Sequence, residues 1–385
     1  MKNVFLLMKY YIDPKENTPF PKFDYQISAL ESMGFNVYYL GIKRGNLYLC
    51  HKNQKKLIYK MHLLNLPGIS TLLTYDSLYK AAKKVFDNDN SFDLAYIRAM
   101  PSMPSYSKAL KSIKKSNCKI VTEISTYPIE NEIDAEKRLL RKLYFKLSNQ
   151  YFIKMAKFVD LFALIGDHCD EFAGKTAINI ENGITLKNIT MRESKFINEE
   201  IHLLGLANMA KWHGYDRVIE GLRQYKKNSG NKEVIFHLVG PDGDGSLKEW
   251  MTLTRKYKLE KNVIFEGPKF NRELDYFFNK CNLAIGSIGL HRTGYESATT
   301  LKVREYMARG IPFLMSASDQ AIESDNRFCV IIPADDSPVN IELIIRYVEN
   351  IRDWEYLSKS MREYANDNMT WEKQFRKIID KIGDE

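Results

Sequence analysis

Three times between Val234 and Gly286 a short apolar run stops at a glycine. The runs are Val234 to Val239 before Gly240, Val263 to Glu266 before Gly267, and Leu283 to Ile285 before Gly286. After each comes a polar turn and then a segment of helical period: Leu247 to Tyr257, Glu273 to Lys280, and about Thr299 to Arg309. Neighbouring strands that run in one direction need such a crossover, so this stretch is constrained to a parallel sheet with helices on its faces. The last repeat is the sharpest. Thr299 or Thr300 predicts the N-cap, Gly310 a left-handed stop, and Pro312 a barrier to further helix before a strand at Ile311 to Leu314.

The same alternation fills the first half. Strands are predicted at Val4 to Met8, Asn36 to Gly41, Phe92 to Arg98, Lys119 to Pro128, Asp160 to Ile165 and Ala177 to Ile184. Helices are predicted at Tyr25 to Met33, Asp76 to Phe86, Pro104 to Ser116 and Asp134 to Phe158. Asn46 to His62 reads as a hairpin or an irregular insertion. Thr185 to Glu200 is polar and lacks period, the place for a linker, and Ile201 to Leu206 restarts the pattern. At 385 residues the chain is long enough for two domains. The expectation is an α/β protein of two doubly wound, Rossmann-like domains, residues 1–190 and 191–369.

The charge is uneven. Residues 1–190 carry 28 Lys and Arg against 18 Asp and Glu, and residues 191–385 carry 29 against 30. The basic first half points to an anionic partner: nucleic acid, a membrane surface or a phosphorylated substrate. Nucleic acid fits least, for no recognised nucleic-acid-binding motif is present. The five scattered cysteines lack CxxC spacing and read as reduced residues of a cytoplasmic protein. The N-terminal Val4 to Met8 reads as a buried strand and not as a signal peptide, and no apolar run is long enough to span a bilayer.

Two places carry candidate chemistry. A helix that starts behind a glycine-bearing loop presents free N–H groups and its positive dipole end, a ready anion site. Gly289 and Gly294 keep that loop open to a ligand. Lys302, Glu305 and Arg309 share a face of the helix, either as part of a ligand site or as a solvated charge ladder. In the first half, Arg98 ends one strand, and Glu123, Ser125 and Thr126 stand near the end of the next. Open α/β sheets keep ligands at such strand ends. Residues 134–158 interleave Lys137, Arg138, Arg141, Lys142, Lys146, Lys154 and Lys157 with leucines and aromatics. Such a helix either lies on anionic lipid or packs on its own sheet with its lysines solvated.

Several pieces, taken in order, resemble a known family. They are Lys211-Trp-His-Gly-Tyr-Asp-Arg217, His237-Leu-Val-Gly240, Val263-Ile-Phe-Glu-Gly267, and Glu305-Tyr-Met-Ala-Arg-Gly-Ile-Pro312. Together they are similar to the nucleotide-sugar-dependent glycosyltransferases of GT-B architecture, the large retaining group called family 4. The wording is nearest to enzymes of bacterial surface and capsular polysaccharide assembly. Trp371-Glu372 looks like that family's closing helix, about residues 370–385 here, which packs back on the first domain.

The resemblance implies a hexosyltransferase-type enzyme with a nucleoside-diphosphate sugar as donor. Its acceptor is a glycan or a polyprenyl-linked saccharide, and the sugar is transferred with retention. It implies that Glu305 holds the ribose hydroxyls and that Thr299, Thr300, Leu301 and Lys302 hold the diphosphate. Pro268, Lys269 and Phe270 would meet the base. The family's basic pair is replaced by Asn208 and His213, so Lys211 and Lys302 must supply the charge on the leaving group. The family's first glutamate falls at Ser297, with Glu296 one position off. The usual glycine pair after the first strand is replaced by Pro19 to Phe23, and the family's first-domain histidine is missing near Glu123 to Ser125. Glu123 is then the catalytic candidate there, with Arg98, Ser125 and Thr126 on the acceptor side. No protein nucleophile, metal or cofactor is expected, and contact with the inner membrane face would run through 134–158. Two alternatives stay open: a nucleotide-sugar epimerase or hydrolase on the same fold, and a non-catalytic partner subunit.

Overall fold

The computed structural model describes residues 2–13, 22–61, 69–136, 138–193, 199–270, 272–294, 299–316, 319, 321–322 and 327–383. The chain divides into two compact units, Met1–Gly183 with Trp371–Glu385, and Ile184–Thr370. The change of unit comes earlier than residue 190. Ile184 already pairs with Thr370, and its N–H donates to the Met369 carbonyl at 2.8 Å, so the second unit is tied at its two ends.

Among the described residues the first unit is built on β1 (Asn3–Leu7), β2 (Asn36–Lys43), β3 (Asn46–His51), β4 (Gln54–Lys60), β5 (Leu94–Arg98), β6 (Lys119–Tyr127), β7 (Leu161–Gly166), β8 (Glu171–Phe172) and β9 (Lys175–Asn179). The sheet order is β4-β3-β2-β1-β5-β6-β7-β9-β8. The strands from β2 to β9 across its middle are parallel, while β3, β4 and β8 are antiparallel additions. The segment 46–60 is thus a hairpin that widens the sheet. The strand expected at Ala177 to Ile184 begins earlier and stops at Asn179, as half of the β8–β9 hairpin.

Both faces of this sheet are covered, and β1 shows why its sequence is apolar throughout. Phe5 and Leu7 enter one core, with side chains of α2 (Ile69–Asn88) and α3 (Pro104–Lys115). Val4 and Leu6 enter the opposite core, with Ala29 and Leu30 of α1 (Lys22–Ser32). Strand side chains alternate faces, so a strand buried on both sides can spare no polar position. Trp371, Phe375 and Ile378 of the closing helix Trp371–Gly383 share one helical face and fill that second core.

The helix expected over Asp134 to Phe158 is two helices, α4 (Ile129–Ala135) and α5 (Leu139–Met155). Between them Glu136 is extended, and its carboxylate accepts from the Arg138 N–H at 3.0 Å and lies 3.2 Å from Nε of Arg141. These local bonds replace the helical ones that a continuous helix would need.

In the second unit α6 (Tyr215–Lys227), α7 (Ser246–Lys256), α8 (Arg272–Lys280), α9 (Leu301–Arg309), α10 (Ile341–Glu349) and α11 (Trp354–Asn368) accompany β10 (Ile201–Leu206), β11 (Val234–Val239), β12 (Val263–Gly267), β13 (Leu283–Ile285), β14 (Phe313–Met315) and β15 (Cys329–Ile331). The sheet is parallel, in the order β12-β11-β10-β13-β14-β15. Strand order reverses between β10 and β13. Their following loops leave in opposite directions and open a crevice at the carboxyl ends of the strands, the favoured ligand position in such sheets.

Candidate functional site

The loops after β10 and β13 meet at that crevice. Gly214 has a left-handed backbone (φ +69°), and a Cβ on it would lie 2.7 Å from the Gly289 nitrogen. Only glycine allows both the turn and the approach. The Ile288 N–H donates to the His213 carbonyl at 3.1 Å, and the Met209 N–H to the Pro241 carbonyl at 2.8 Å, so the loops after β10, β11 and β13 are stitched together. Gly289 therefore serves loop packing, beside whatever opening it leaves for a ligand.

Helix α9 starts beside this junction. Gly310 ends it with φ +74°, as its sequence predicts, and Thr300 is its N-cap residue, but the Thr300 side chain makes no capping bond. Its Oγ1 is buried and has no hydrogen-bond partner among the described residues. Leu301 opens the helix, and the first-turn N–H groups have no intrahelical acceptor. Lys302, Glu305 and Arg309 are all buried, so they are not a solvated ladder. Glu305 Oε1 accepts from Arg309 Nε at 2.7 Å, and Arg309 also bonds Asp275 of α8 and lies over the Phe278 ring.

Lys302 turns elsewhere. It is only 4% exposed, and its Nζ donates to His213 Nδ1 at 2.8 Å and to the Tyr215 hydroxyl at 3.1 Å. Among the described residues no carboxylate pairs with it. His213 Nε2 lies 3.0 Å from the Asn208 carbonyl, which can only accept, so Nε2 carries the proton and Nδ1 offers its lone pair to Lys302. Burial, and then the charge of Lys302, push the His213 pKa far below the usual imidazole range. Burial pushes the Lys302 pKa well below that of an ordinary lysine. A buried ammonium held only by neutral partners is costly, and an arriving anion would relieve it.

Lys211 stands apart from this cluster. It is 62% exposed, and its ammonium ends 3.3 Å from Glu249 of α7. Its backbone N–H donates to Asp244, and its carbonyl accepts from Arg292. Asp242 and Asp244 each give one oxygen to the turn before α7, accepting from the N–H groups of Gly245 and Ser246. Among the described residues no cluster of three or more His, Cys, Asp or Glu forms a metal site. Pro268, Lys269 and Phe270 follow β12 directly, and the Phe270 ring is well exposed. Thr299 is half-buried just before the α9 cap. Glu296 and Ser297 lie outside the described residues, as do Pro19 to Pro21 and Lys137.

In the first unit the three acceptor-side candidates come together. Arg98, Ser125 and Thr126 line one cavity of about 710 Å³ at the carboxyl ends of β5 and β6, roofed by α4 and α5. Glu123 does not join them. It is fully buried and accepts from Lys22 Nζ at 2.8 Å, Gln26 Nε2 at 2.7 Å, and the hydroxyls of Tyr96 and Ser125, each at 2.7 Å. Burial alone would raise its pKa, but Lys22 and Arg98, with these hydrogen bonds, pull it down to about 2. A carboxylate enclosed and saturated in this way anchors α1 to the sheet and has no open valence for substrate, so it is not a proton acceptor for catalysis. Spacing could not foresee this, because Lys22 stands 101 residues away in the chain. Sequence reasoning also passed over Tyr215, Asn208 as a carbonyl partner, and the Glu136 bonds that set the cavity roof; the nearness of Tyr215 to His213 was the only signal for any of them.

Residues 187–367 match the family model described as glycosyl transferases group 1. No curated protein matches the sequence. Among solved structures, the sucrose-phosphate synthase of Thermosynechococcus elongatus is 13% identical, with TM-score 0.70 and 99% of each chain covered. WaaG, a glycosyltransferase involved in lipopolysaccharide biosynthesis, is 15% identical, with TM-score 0.64 over 99% of each chain. HepE of Anabaena, solved with UDP, is 13% identical, with TM-score 0.62 over the whole of both chains. The crevice at the start of α9 thus lies within the residues that match the glycosyl transferases group 1 model, and the chain as a whole shares the two-domain GT-B fold of these structures.

Proposed function

We propose that the protein transfers a sugar from a nucleoside-diphosphate donor to a glycan or polyprenyl-linked acceptor, with retention, in surface polysaccharide assembly. The observation that carries the donor half is Lys302: a buried ammonium in the first turn of a helix, with no carboxylate on it among the described residues, beside an N-cap hydroxyl that has no hydrogen-bond partner among them. The diphosphate lies across the start of α9, on the N–H groups of Leu301 and Lys302 with the Thr300 hydroxyl, and Thr299 flanks it. Lys302 neutralises the charge that grows as the sugar leaves, and neutral His213 fixes where its ammonium points. Glu305, held by Arg309, is the residue for the ribose hydroxyls, and Phe270 with Pro268 and Lys269 receives the base. Lys211 is assigned no direct part. HepE binds UDP, which supports a nucleotide at this site. WaaG supports a polysaccharide setting.

In the reaction the bond from the anomeric carbon to the diphosphate oxygen breaks, and its electron pair leaves with the diphosphate. The acceptor oxygen bonds that carbon from the same face, and its proton passes to a diphosphate oxygen. No protein nucleophile is needed. No metal ion enters this reading. The enzyme works in the cytoplasm, with residues 134–158 touching the anionic inner face of the membrane. Among the described residues no helix is long and apolar enough to cross that membrane.

A thermal-shift screen over nucleotide sugars tests the donor half, because a ligand that binds only the folded state raises Tm. One donor should stabilise the wild type and fail to stabilise Lys302→Met or Glu305→Gln. Equal shifts in all three proteins would remove α9 from the site. The anomeric configuration of the product, read by NMR, decides retention.

A further inference from the structure

Helix α5 has two apolar faces. Its inner face places Phe145, Ser148, Asn149 and Phe152 on the wall of the first-unit cavity. Its outer face carries Leu139, Leu140, Leu143 and Leu147, of which the first two are 80% and 83% exposed. These four lie within about a third of the helix circumference, a ridge rather than scattered single residues. An isolated exposed leucine needs no explanation, but a contiguous apolar ridge marks an interaction surface.

The surroundings say what the surface meets. No acidic residue occurs from Leu139 to Met155. Lys142, on one flank of the ridge, pairs with Asp134, while Lys146 and Lys154 take part in no ion pair among the described residues. Leucines with unbalanced lysines beside them match an anionic lipid surface, where the apolar face enters the acyl boundary and the ammonium groups stay among head groups.

The cavity behind the helix has the same double character. Ile124, Ile129, Ile133 and Phe152 give it apolar walls, while Arg98, Arg138 and Arg141 bring three guanidinium groups against the single carboxylate of Glu136. Arg138 and Arg141 lie 4.0 and 3.2 Å from Glu136, and Arg98 has no ion pair among the described residues, resting over the Phe23 ring. Guanidinium groups suit phosphate oxygens, and the apolar walls suit hydrocarbon. Neither a free sugar nor inorganic phosphate would use both.

We propose that this cavity binds the phosphate head and first carbons of a lipid phosphate, and that the outer leucine ridge seats α5 in the anionic bilayer that holds this lipid. One helix then both docks on the membrane and walls the site for a lipid drawn from it. The assignment deepens the acceptor part of the function above and rests on it only in calling the lipid an acceptor. Binding itself is measured without any sugar donor.

The test is flotation of the full-length protein with three kinds of vesicle: phosphatidylcholine alone, phosphatidylcholine with phosphatidylglycerol, and the latter with a polyprenyl phosphate added. The wild type should bind the second and bind the third more tightly. Leu139→Gln with Leu143→Gln and Leu147→Gln should lose binding to both, on the order of tenfold per leucine. All three positions are exposed, so the fold should survive, and circular dichroism checks that it does. Arg98→Gln with Arg141→Gln should keep the binding to phosphatidylglycerol within a few fold and lose the increment from the polyprenyl phosphate. Glu305→Gln should bind all vesicles as the wild type does, which separates failure here from failure of the donor site. Undiminished binding by the leucine variant would overturn the docking surface. An increment that survives in the arginine variant would overturn the cavity assignment. Competition by inorganic phosphate as strong as that by the lipid would show a free-phosphate site and overturn the lipid.

Discussion

Among the described residues each unit buries one lysine beside its sheet, and the two are solved differently. Lys22 of the first unit meets a carboxylate: Glu123 takes its proton-bearing nitrogen at 2.8 Å, and the Lys22 pKa, lowered by burial and raised again by Glu123, settles at about 8. Lys302 of the second unit meets an imidazole and a phenol, both neutral, and burial lowers its pKa well below that of an ordinary lysine with no carboxylate to oppose it among the described residues. A matched pair is complete without a ligand and serves the fold. An unmatched cation keeps a cost that only an anion removes, so the second lysine is the one to look to for function.

The sharpest way to break this contrast is to remove one partner of the matched pair. Glu123→Gln leaves Lys22 buried and unpaired, and should cost the fold about 3–5 kcal/mol in urea denaturation. Adding Lys22→Met should restore much of that loss. An unchanged midpoint in the single variant would mean that the pair does not carry the structural load assigned to it. The mirror experiment is Lys302→Met. There the folded protein should be as stable as the wild type or more so, while kcat for sugar transfer falls by on the order of a hundredfold, as when an electrostatic stabiliser is lost. A large loss of stability with normal turnover would reverse the assignment of the two lysines.

Acidity separates them more gently. The Glu123 pKa is about 2 when folded against the ordinary 4.5, so its contribution is complete above pH 4.5 and is lost as pH falls from there toward 2. The stability gap between wild type and Glu123→Gln should narrow over that window. For Lys302 the sign concerns binding. Its pKa is depressed in the free protein, and a bound diphosphate favours the charged form, so binding takes up a proton and nucleotide affinity should fall as pH rises. Calorimetry in buffers of different ionisation enthalpy reads the uptake, and no uptake at any pH would show that Lys302 does not meet the anion. The smallest effect is expected at Lys211→Met. Its exposed pair with Glu249 should be worth under about 1 kcal/mol, and turnover should change less than about threefold.

Much was legible before any coordinates. Strand runs that stop at glycine mark the parallel sheets, since a crossover has to follow each of them. Gly310 and Pro312 mark the end of α9, because a left-handed residue and a missing N–H cannot extend a helix. The spacing of Lys302, Glu305 and Arg309 placed all three on one face of α9. Periodicity sets the face of a helix that a side chain occupies, and backbone geometry sets where the helix starts and stops; both are local.

What spacing left open was the neighbour. From the sequence Lys211 stood first to carry the positive charge, with Lys302 beside it. The choice depended on where the loop after β10 folds, and that loop is fixed by the contact between Gly214 and Gly289. It puts His213 against Lys302 and sends Lys211 outward to Glu249. Glu123 looked available near its strand end until α1, about a hundred residues earlier, covered it. The sequence by itself determined the alternation of strands and helices and the amphipathic character of residues 134–158, though not every boundary, because these follow from residues a few positions apart. Tertiary structure alone decided which buried charge meets a carboxylate, which one meets only neutral partners among the described residues, and which face of α5 stays bare. Those depend on side chains from distant loops converging, and no local spacing encodes that.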